Sequence, residues 1–185
     1  MSDSVNRGTD SGRTLIIHGG MHKTGSSAIQ EFLYEELDHP SVEYFSAGRA
    51  NSSLVVLEAF HRRLGSLPRY KSAGYSPEEL LARGNRARER FRKRLAATHK
   101  PTVVISAESF SLLNKEECTA LRDEVSGLFT EVKLVLYIRP LRSRIESAFQ
   151  EKLKKRFVSL DHKIVTNFKK RISTYDTVFG ESNVI

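Results

Sequence analysis

The stretch Thr14–Leu33, TLIIHGGMHKTGSSAIQEFL, decides the fold of this chain. Its apolar, partly β-branched run Leu15–Ile17 predicts a buried strand. Gly19 and Gly20 break that pattern, and apolar residues recur at helical spacing from Ser26 onward. The sequence therefore predicts a strand, a glycine-bearing loop and a helix, in that order.

This order of elements creates a binding site for an anion. The first N–H groups of a helix have no partners inside the helix, and the helix dipole makes that end positive. A glycine-rich loop lets a phosphate approach the backbone, Ser26 and Ser27 add hydroxyl donors, and Lys23 adds a mobile positive charge. The alternative is an ordinary strand-to-helix turn with an exposed lysine. The crowding of these residue types into positions 23–27 favours the phosphate site.

The position of the lysine separates this loop from the loops that bind nucleoside triphosphates. Those loops place a lysine directly after the last glycine and before a Ser or Thr. Here Gly20 and Gly25 have the glycine spacing, but Ser26 stands at the lysine position and Lys23 precedes the glycine. The run Lys23-Thr24-Gly25-Ser26-Ser27 resembles the 5′-phosphosulfate-binding loop of sulfotransferases, in its carbohydrate-type and bacterial version. These enzymes use 3′-phosphoadenosine 5′-phosphosulfate (PAPS) as the sulfuryl donor.

Composition and charge limit the class of protein. A chain of 185 residues, 39% hydrophobic and 28% charged, is long enough for one α/β domain with a real core. The net charge of +8 fits an anionic partner, which could be nucleic acid, an acidic glycan or a charged nucleotide. The single cysteine, Cys118, excludes an internal disulfide, and its helical phase with Leu121 and Val125 indicates a core position.

The ends of the chain lead to further expectations. Residues 1–13 are small and polar and predict a disordered tail without the features of a signal peptide. No stretch approaches the roughly 18 apolar residues of a membrane span, so we expect no membrane span and a cytoplasmic protein. Asn183–Ile185 looks like the opening of a strand. Because sulfotransferases usually continue past such a segment, the resemblance implies either that the domain over residues 14–185 is incomplete at its C-terminus or that it is an unusually short member of the family.

Two later strands deliver polar residues to one edge of the predicted sheet. Thr102–Ser106 and Val132–Ile138 read as buried strands, followed by Glu108 and by Arg139. Ligands bind at the carboxyl ends of the strands in open α/β sheets. The predicted fold is a P-loop-like, three-layer α/β/α domain with a central parallel sheet of about five strands. Glu108 lies where a catalytic carboxylate would be useful, and its alternative role is a helix-cap or loop carboxylate in solvent.

Arg139 and Ser147 complete the resemblance. An arginine at a strand end and a serine eight positions later, in the following helix, resemble the pair that binds the 3′-phosphate in sulfotransferases. An arginine suits this task because its planar fork grips a phosphate with two charge-assisted hydrogen bonds. Arg142 and Arg144 are less favoured alternatives. Structural ion pairing is the other explanation for a strand-end arginine, but the order after the Lys23 loop favours the phosphate role.

The resemblance implies a reaction and roles for these residues. An acceptor hydroxyl or amine would take the sulfuryl group from PAPS without a metal. Lys23 would stabilise the charge on the bridging oxygen, and the backbone from Thr24 to Ser27 would hold the 5′-phosphate. Glu108 is the first choice for the general base, and His22 is the second because imidazole titrates near neutral pH. A small-molecule or glycan acceptor is expected, and nucleic acid is not.

Two other functions remain open at this point. A P-loop kinase or NTPase shares the order strand, loop and helix, but its lysine is placed differently. A non-catalytic module that binds polyanions would explain the charge but not the Lys23 loop together with Arg139. One helix, predicted to run from Pro77 toward His99, carries arginines spaced mostly by two, at positions 83, 86, 88, 90, 92 and 94. They form either a solvated helix surface or a surface for an acidic acceptor.

Overall fold

The computed structural model describes residues 12–19, 25–154 and 168–185. The strands are β1 (Thr14–His18), β2 (Val42–Tyr44), β3 (Thr102–Ser106) and β4 (Glu131–Val135). The helices are α1 (Ser26–Glu35), α2 (Ser53–Phe60), α3 (Pro68–Lys71), α4 (Pro77–Ala96), α5 (Lys115–Ser126), α6 (Leu141–Lys154) and α7 (Phe168–Phe179). Short 3₁₀ turns cover Leu64–Ser66, Glu108–Leu112 and Glu181–Asn183.

The described strands form one parallel sheet of four strands in the order β2-β3-β1-β4. At the carboxyl end of β1, His18 pairs with Ser106 of β3 and with Val135 of β4. On the outer side of β4, Val184 forms a parallel bridge with Leu134. The predicted α/β fold with a parallel sheet is confirmed, and Val184 begins a fifth strand position at the edge of the sheet.

The main core lies on one face of this sheet. Leu15 and Ile17 of β1 and Val103 and Ile105 of β3 point to that face and are at most 1% exposed. The same apolar cluster contains residues of α2, α4, α5 and α7, namely Val56, Phe60, Phe91, Leu95, Cys118, Leu121, Val125, Tyr175, Val178 and Phe179. Cys118 therefore occupies the core position that the sequence predicts.

Helix α1 lies on the opposite face. Its Gln30 donates a hydrogen bond from Nε2 to Ser106 Oγ, at 3.0 Å, and Ser106 alternates with the core residues Ile105 and Val103 along β3. The strand order leads to the same placement of α1. The connection from β1 to β2 and the connection from β3 to β4 run in opposite directions across the sheet. Because crossovers between parallel strands are right-handed, the helices that they contain lie on opposite faces. The three-layer arrangement follows.

Several helices expose apolar residues whose helical spacing alone would suggest an inward position. Phe32 of α1 is 59% exposed and Leu81 of α4 is 67% exposed, and Leu141 and Leu153 of α6 are exposed as well. In α1 the buried residues are Ser26 and Gln30. The reason is that α1 packs against the polar ends of β1 and β3, so its inner face is polar.

Strand β4 is shorter than predicted and ends at Val135 rather than at Ile138. Val135 is the partner of His18, the last residue of β1, so later residues have no ladder partner in β1. Tyr137 and Ile138 are exposed. Arg139 therefore follows a short connecting segment and not the strand itself.

Helix α4 begins as predicted. Ser76 Oγ accepts from the backbone N–H of Glu79, and the Glu79 carboxylate accepts from the Ser76 N–H in return, which forms a capping box. The segment before it, which is rich in Gly, Ser and Pro, contains the short helix α3. Tyr70 of α3 is buried and donates from its hydroxyl to Glu58 Oε1, at 2.6 Å.

Within the described residues, no helix is both long and apolar enough to cross a lipid bilayer.

Candidate active site

The carboxyl ends of β1 and β4 form the point where the strand order reverses. From β1 the chain continues toward β2 on one side, and from β4 it continues toward Val184 on the other side. Loops that leave two adjacent parallel strands in opposite directions open a crevice between them, where ligands bind in open α/β sheets. In the sequence the Lys23 loop follows β1 and Arg139 follows β4, and these are the two strands whose carboxyl ends flank the crevice.

Direct contacts join the segments that follow the strands. The Gly19 N–H donates to Val135 O at 3.0 Å, and the Ala107 N–H donates to His18 O at 3.1 Å. The rings of His18 and Tyr137 meet edge to face, with centroids 5.1 Å apart. A Cβ at Gly19 would lie 3.1 Å from Leu136 Cδ2, so glycine permits this close approach. The ends of β1, β3 and β4 thus form one packed edge.

His18 is fixed in this edge by a buried hydrogen-bond network. Its Nδ1 lies 2.7 Å from Ser106 Oγ, which also accepts from Gln30. Burial lowers the pKa of His18, so the ring is neutral at physiological pH. Nε2 is buried and has no hydrogen-bond partner among the residues that the structure describes. His18 therefore supports the start of the loop from the strand end.

The N-terminus of α1 has the features that an anion site needs. Gly25 is its N-cap residue and adopts a left-handed conformation with φ of 87°, which favours glycine. Gly25 has no side chain that could cap this end, and the first turn of the helix contains no acidic residue. Ser26 is buried and Ser27 is exposed. His22, Lys23 and Thr24, which the sequence assigns to this site, lie outside the described residues.

Glu108 lies at the same edge of the sheet. It begins the 3₁₀ turn after β3, and its side chain is half-buried. The preceding residue, Ala107, is bound to the end of β1, and the following residue, Ser109, donates its N–H to Ser53 Oγ at 3.2 Å. The turn that carries Glu108 is therefore held between β1 and the start of α2. Its role as general base remains a prediction.

Arg139 lies beside a serine that the sequence analysis did not select. Its Nε donates to Ser143 Oγ at 3.3 Å. Ser143 and Ser147 are one helical turn apart in α6 and so share a face of that helix. Arg139 and both serines are half-buried. Ser143 lies four residues after Arg139 and four residues before Ser147, and this helical spacing could have identified it.

The alternative arginines of α6 have other partners. Arg142 is 92% exposed and forms an ion pair with Glu146 in the next turn, at 3.1 Å. The guanidinium of Arg144 lies over the ring of Phe168, 5.3 Å from its centroid. Arg139 contacts Ser143 on the serine face of α6.

Comparison with known proteins gives a likeness in fold. No protein-family model matches the chain, and no curated protein matches it. A solved structure of a sulfotransferase from Alicyclobacillus acidocaldarius matches with a TM-score of 0.54 and 13% identity, over 94% of this chain and 72% of that one. At this identity the likeness concerns the fold alone. The chain has a sulfotransferase-like fold.

Within this sulfotransferase-like fold, most arginines of α4 neutralise carboxylates. Glu58 lies 2.8 Å from Arg83 and 4.0 Å from Arg90. In the same way Glu124 pairs with two further arginines of α4, Arg88 and Arg92. The contacts shorter than 3 Å, those of Arg83 and Arg88, favour the structural explanation for these two arginines. Arg94 differs, because its guanidinium donates to the backbone carbonyl of Ser46 at 2.8 Å.

Proposed function

We propose that this chain transfers a sulfuryl group from PAPS to a hydroxyl or amine of an acceptor. The acceptor is a small molecule or a glycan. The observation that carries this proposal is the contact between the ends of β1 and β4, where His18 and Tyr137 meet. Because the Lys23 loop and Arg139 leave the sheet at these two ends, they can grasp separate phosphates of one nucleotide. The sulfotransferase-like fold supports this reading.

The described residues fit a ligand of this kind at both ends. At the 5′ end, the N-cap residue Gly25 is exposed and has no Cβ, so no side chain of its own blocks the approach of a phosphate to the backbone. At the 3′ end, Arg139 already points its Nε toward Ser143. An arginine held by a neighbouring hydroxyl needs little rearrangement to bind a phosphate.

When bound, PAPS supplies the sulfuryl group that is transferred. Lys23 would neutralise charge on the bridging oxygen of the leaving phosphate, and the N–H groups from Thr24 to Ser27 would hold the 5′-phosphate. Arg139 and Ser147 would hold the 3′-phosphate, which distinguishes this donor from ATP. Positioning and electrostatic stabilisation are expected to dominate catalysis, as they do in phosphoryl transfer.

The acceptor must also lose a proton. Glu108 would take it as general base, because the carboxylate lies at the carboxyl edge of the sheet next to the residue bound to His18. His22 is the second candidate. Glu108→Gln keeps the shape of the side chain and removes the base. We expect this variant to lose most of its sulfuryl transfer while it binds the nucleotide as before.

Calorimetric titration tests the proposal. Adenosine 3′,5′-bisphosphate, the product left by PAPS, should bind to the chain clearly more tightly than ATP, because the Arg139 site recognises the 3′-phosphate. Tighter binding of ATP would favour a kinase or NTPase. Steeply salt-dependent binding of any polyanion without nucleotide preference would favour a polyanion-binding module.

A further inference from the structure

A cavity with basic residues in its lining lies at the N-terminus of α2, away from the β1–β4 crevice. A cavity of about 290 Å³ opens there between α2, the loop after β2 and α4. The residues that matter for its chemistry are Arg49, Ser52, Leu54, Val55, Arg90 and Arg94. They combine the N-terminus of a helix, a serine and three arginines around one space.

The first turn of α2 leaves N–H groups for a ligand. The Ser53 N–H is used by Asn51 Oδ1 at 2.8 Å, and the first backbone bond of the helix runs from Val56 N–H to Ser52 O. Leu54 and Val55 lie between these positions, and their N–H groups have no acceptor inside the helix. The side chain of the N-cap residue Ser52 makes no capping bond, and this turn contains no acidic residue. This end of α2 therefore favours a negative charge.

Ser52 gives an independent indication of a ligand. It lines the cavity, it is 1% exposed, and its Oγ has no hydrogen-bond partner within the described part of the chain. A buried hydroxyl without a partner is costly, and a bound group that accepts or donates a hydrogen bond removes that cost. An oxyanion in the cavity would satisfy Ser52 and the open N–H groups of the helix together.

The charge in the cavity is positive. Glu58 is the acidic residue of the lining, but its carboxylate already accepts from Tyr70 at 2.6 Å and from Arg83 at 2.8 Å. Arg90 lies 4.0 Å from Glu58, which places it at the wall. Arg94 is held by Ser46 O and not by a carboxylate among the described residues. An anion would thus meet three arginines and one neutralised carboxylate.

The cavity is connected to the turn that carries Glu108. The Ser52 N–H donates to Ser106 O at 3.0 Å, and Ser53 Oγ accepts from the Ser109 N–H. The start of α2 is therefore bound to the end of β3 and to the residue after Glu108. We propose that the cavity binds an acidic group of the acceptor, a carboxylate or a sulfate ester, and so sets the acceptor class. This proposal rests on the proposed function.

A matched series of sugars tests it, with adenosine 3′,5′-bisphosphate bound to fill the nucleotide site. The probes are methyl β-glucoside, its 6-carboxylate (methyl β-glucuronide) and its 6-sulfate, and their binding is measured by calorimetry or saturation-transfer NMR. We expect at least one acidic sugar to bind at least tenfold more tightly than the neutral sugar. Which of the two binds better tells whether the group is a carboxylate or a sulfate ester. Equal binding of all three sugars overturns the proposal.

Paired variants locate the site. Arg90→Gln with Arg94→Gln should abolish the preference for the acidic sugar. Arg86→Gln with Lys93→Gln removes the same charge from the same helix, away from the cavity lining, and should keep the preference. Equal loss in both pairs, or loss in neither, overturns the proposal. Adenosine 3′,5′-bisphosphate is titrated into every variant as a control. If it still binds, a lost preference for the acidic sugar concerns the α2 cavity and not the proposed nucleotide site.

Ser52→Ala provides a test that does not change the charge. The hydroxyl has no described partner, so its removal should leave the free energy of unfolding of the unliganded chain unchanged or increased. The same variant should bind the acidic sugar severalfold more weakly. Unchanged sugar binding, or a destabilised fold with unchanged sugar preference, would contradict the role of Ser52 in the site.

Discussion

The rings of His18 and Tyr137 lie edge to face, with centroids 5.1 Å apart and an angle of 80° between their planes. Edge-to-face pairs of this kind add a modest stabilisation to the burial of the rings. This pair links the segment that leads into the Lys23 loop with the segment that leads to Arg139. It is therefore a contact on which the relative position of the two proposed phosphate sites depends.

Replacement of Tyr137 tests this link. Tyr137→Ala should lower the free energy of unfolding by about 0.5–1.5 kcal/mol, the usual range for an aromatic pair. It should also weaken the binding of adenosine 3′,5′-bisphosphate severalfold, measured by calorimetry. Tyr34→Ala is the matched control, since Tyr34 is equally exposed at 44% and lies in α1. Nucleotide binding that is weakened equally in both variants would contradict the link.

His18 should make the stability of the fold depend on pH. Burial lowers the pKa of His18 below its ordinary value of 6.5. Between these two pKa values the unfolded chain binds more protons, so the free energy of unfolding rises with pH there. The contribution of His18 is fully present above pH 6.5 and is lost as the pH falls toward the folded-state pKa, by at most about 1.4 kcal/mol per pH unit.

Urea unfolding at pH 7.5 and at pH 5.5 measures this effect. His18→Gln should show a smaller loss of stability between the two pH values than the unsubstituted chain. His99→Gln, at an exposed histidine, is the control and should keep the original pH dependence. An identical pH dependence in the His18 variant and in the unsubstituted chain would show that His18 is not the titrating group.

Ser143 should assist Arg139 in nucleotide binding. Ser143→Ala removes the hydroxyl that accepts from Arg139 Nε, so the guanidinium loses a fixed orientation. We expect the bisphosphate to bind about threefold to tenfold more weakly, since a hydrogen bond to a charged group is worth about 1.5–3 kcal/mol and only part of it bears on the ligand. Ser126→Ala, at an exposed serine of α5, should leave the affinity unchanged. Full affinity in Ser143→Ala would remove this serine from the site.

Cys118 should be protected in the folded chain. It is 0% exposed, and burial raises the pKa of its thiol to about 12. The thiolate is the reactive form, so a thiol reagent at pH 8 should label the folded chain at least roughly a hundredfold more slowly than the urea-unfolded chain. Labelling at similar rates would contradict the core position of Cys118. Its rate of labelling also provides a measure of unfolding for the variants above.

Much of the fold could be predicted from local patterns. The strand Thr102–Ser106 matches its prediction because a β-branched apolar run has few other structures open to it. Helix α4 begins at Pro77 because Ser76 and Glu79 define its start without any tertiary contact. Cys118 lies in the core because its helical phase is shared with Leu121 and Val125.

The remainder depends on contacts between distant residues. Phe32 has the helical phase of a core residue, yet α1 turns its polar side to the sheet because Gln30 binds Ser106, a residue 76 positions away. No local sequence pattern predicts the contact between Gln30 and Ser106. In the same way, the cavity at α2 arises only where α4 approaches the loop after β2.

The central claim is that the Lys23 loop and Arg139 hold opposite ends of one doubly phosphorylated nucleotide. A cycle of two ligands and two variants tests it most directly, with calorimetric affinities for adenosine 3′,5′-bisphosphate and adenosine 5′-phosphate. The chain should prefer the bisphosphate by at least tenfold. Arg139→Gln should abolish this preference, whereas Lys23→Ala should weaken both ligands and keep it. A preference that survives in Arg139→Gln, or that disappears in Lys23→Ala, would contradict the account.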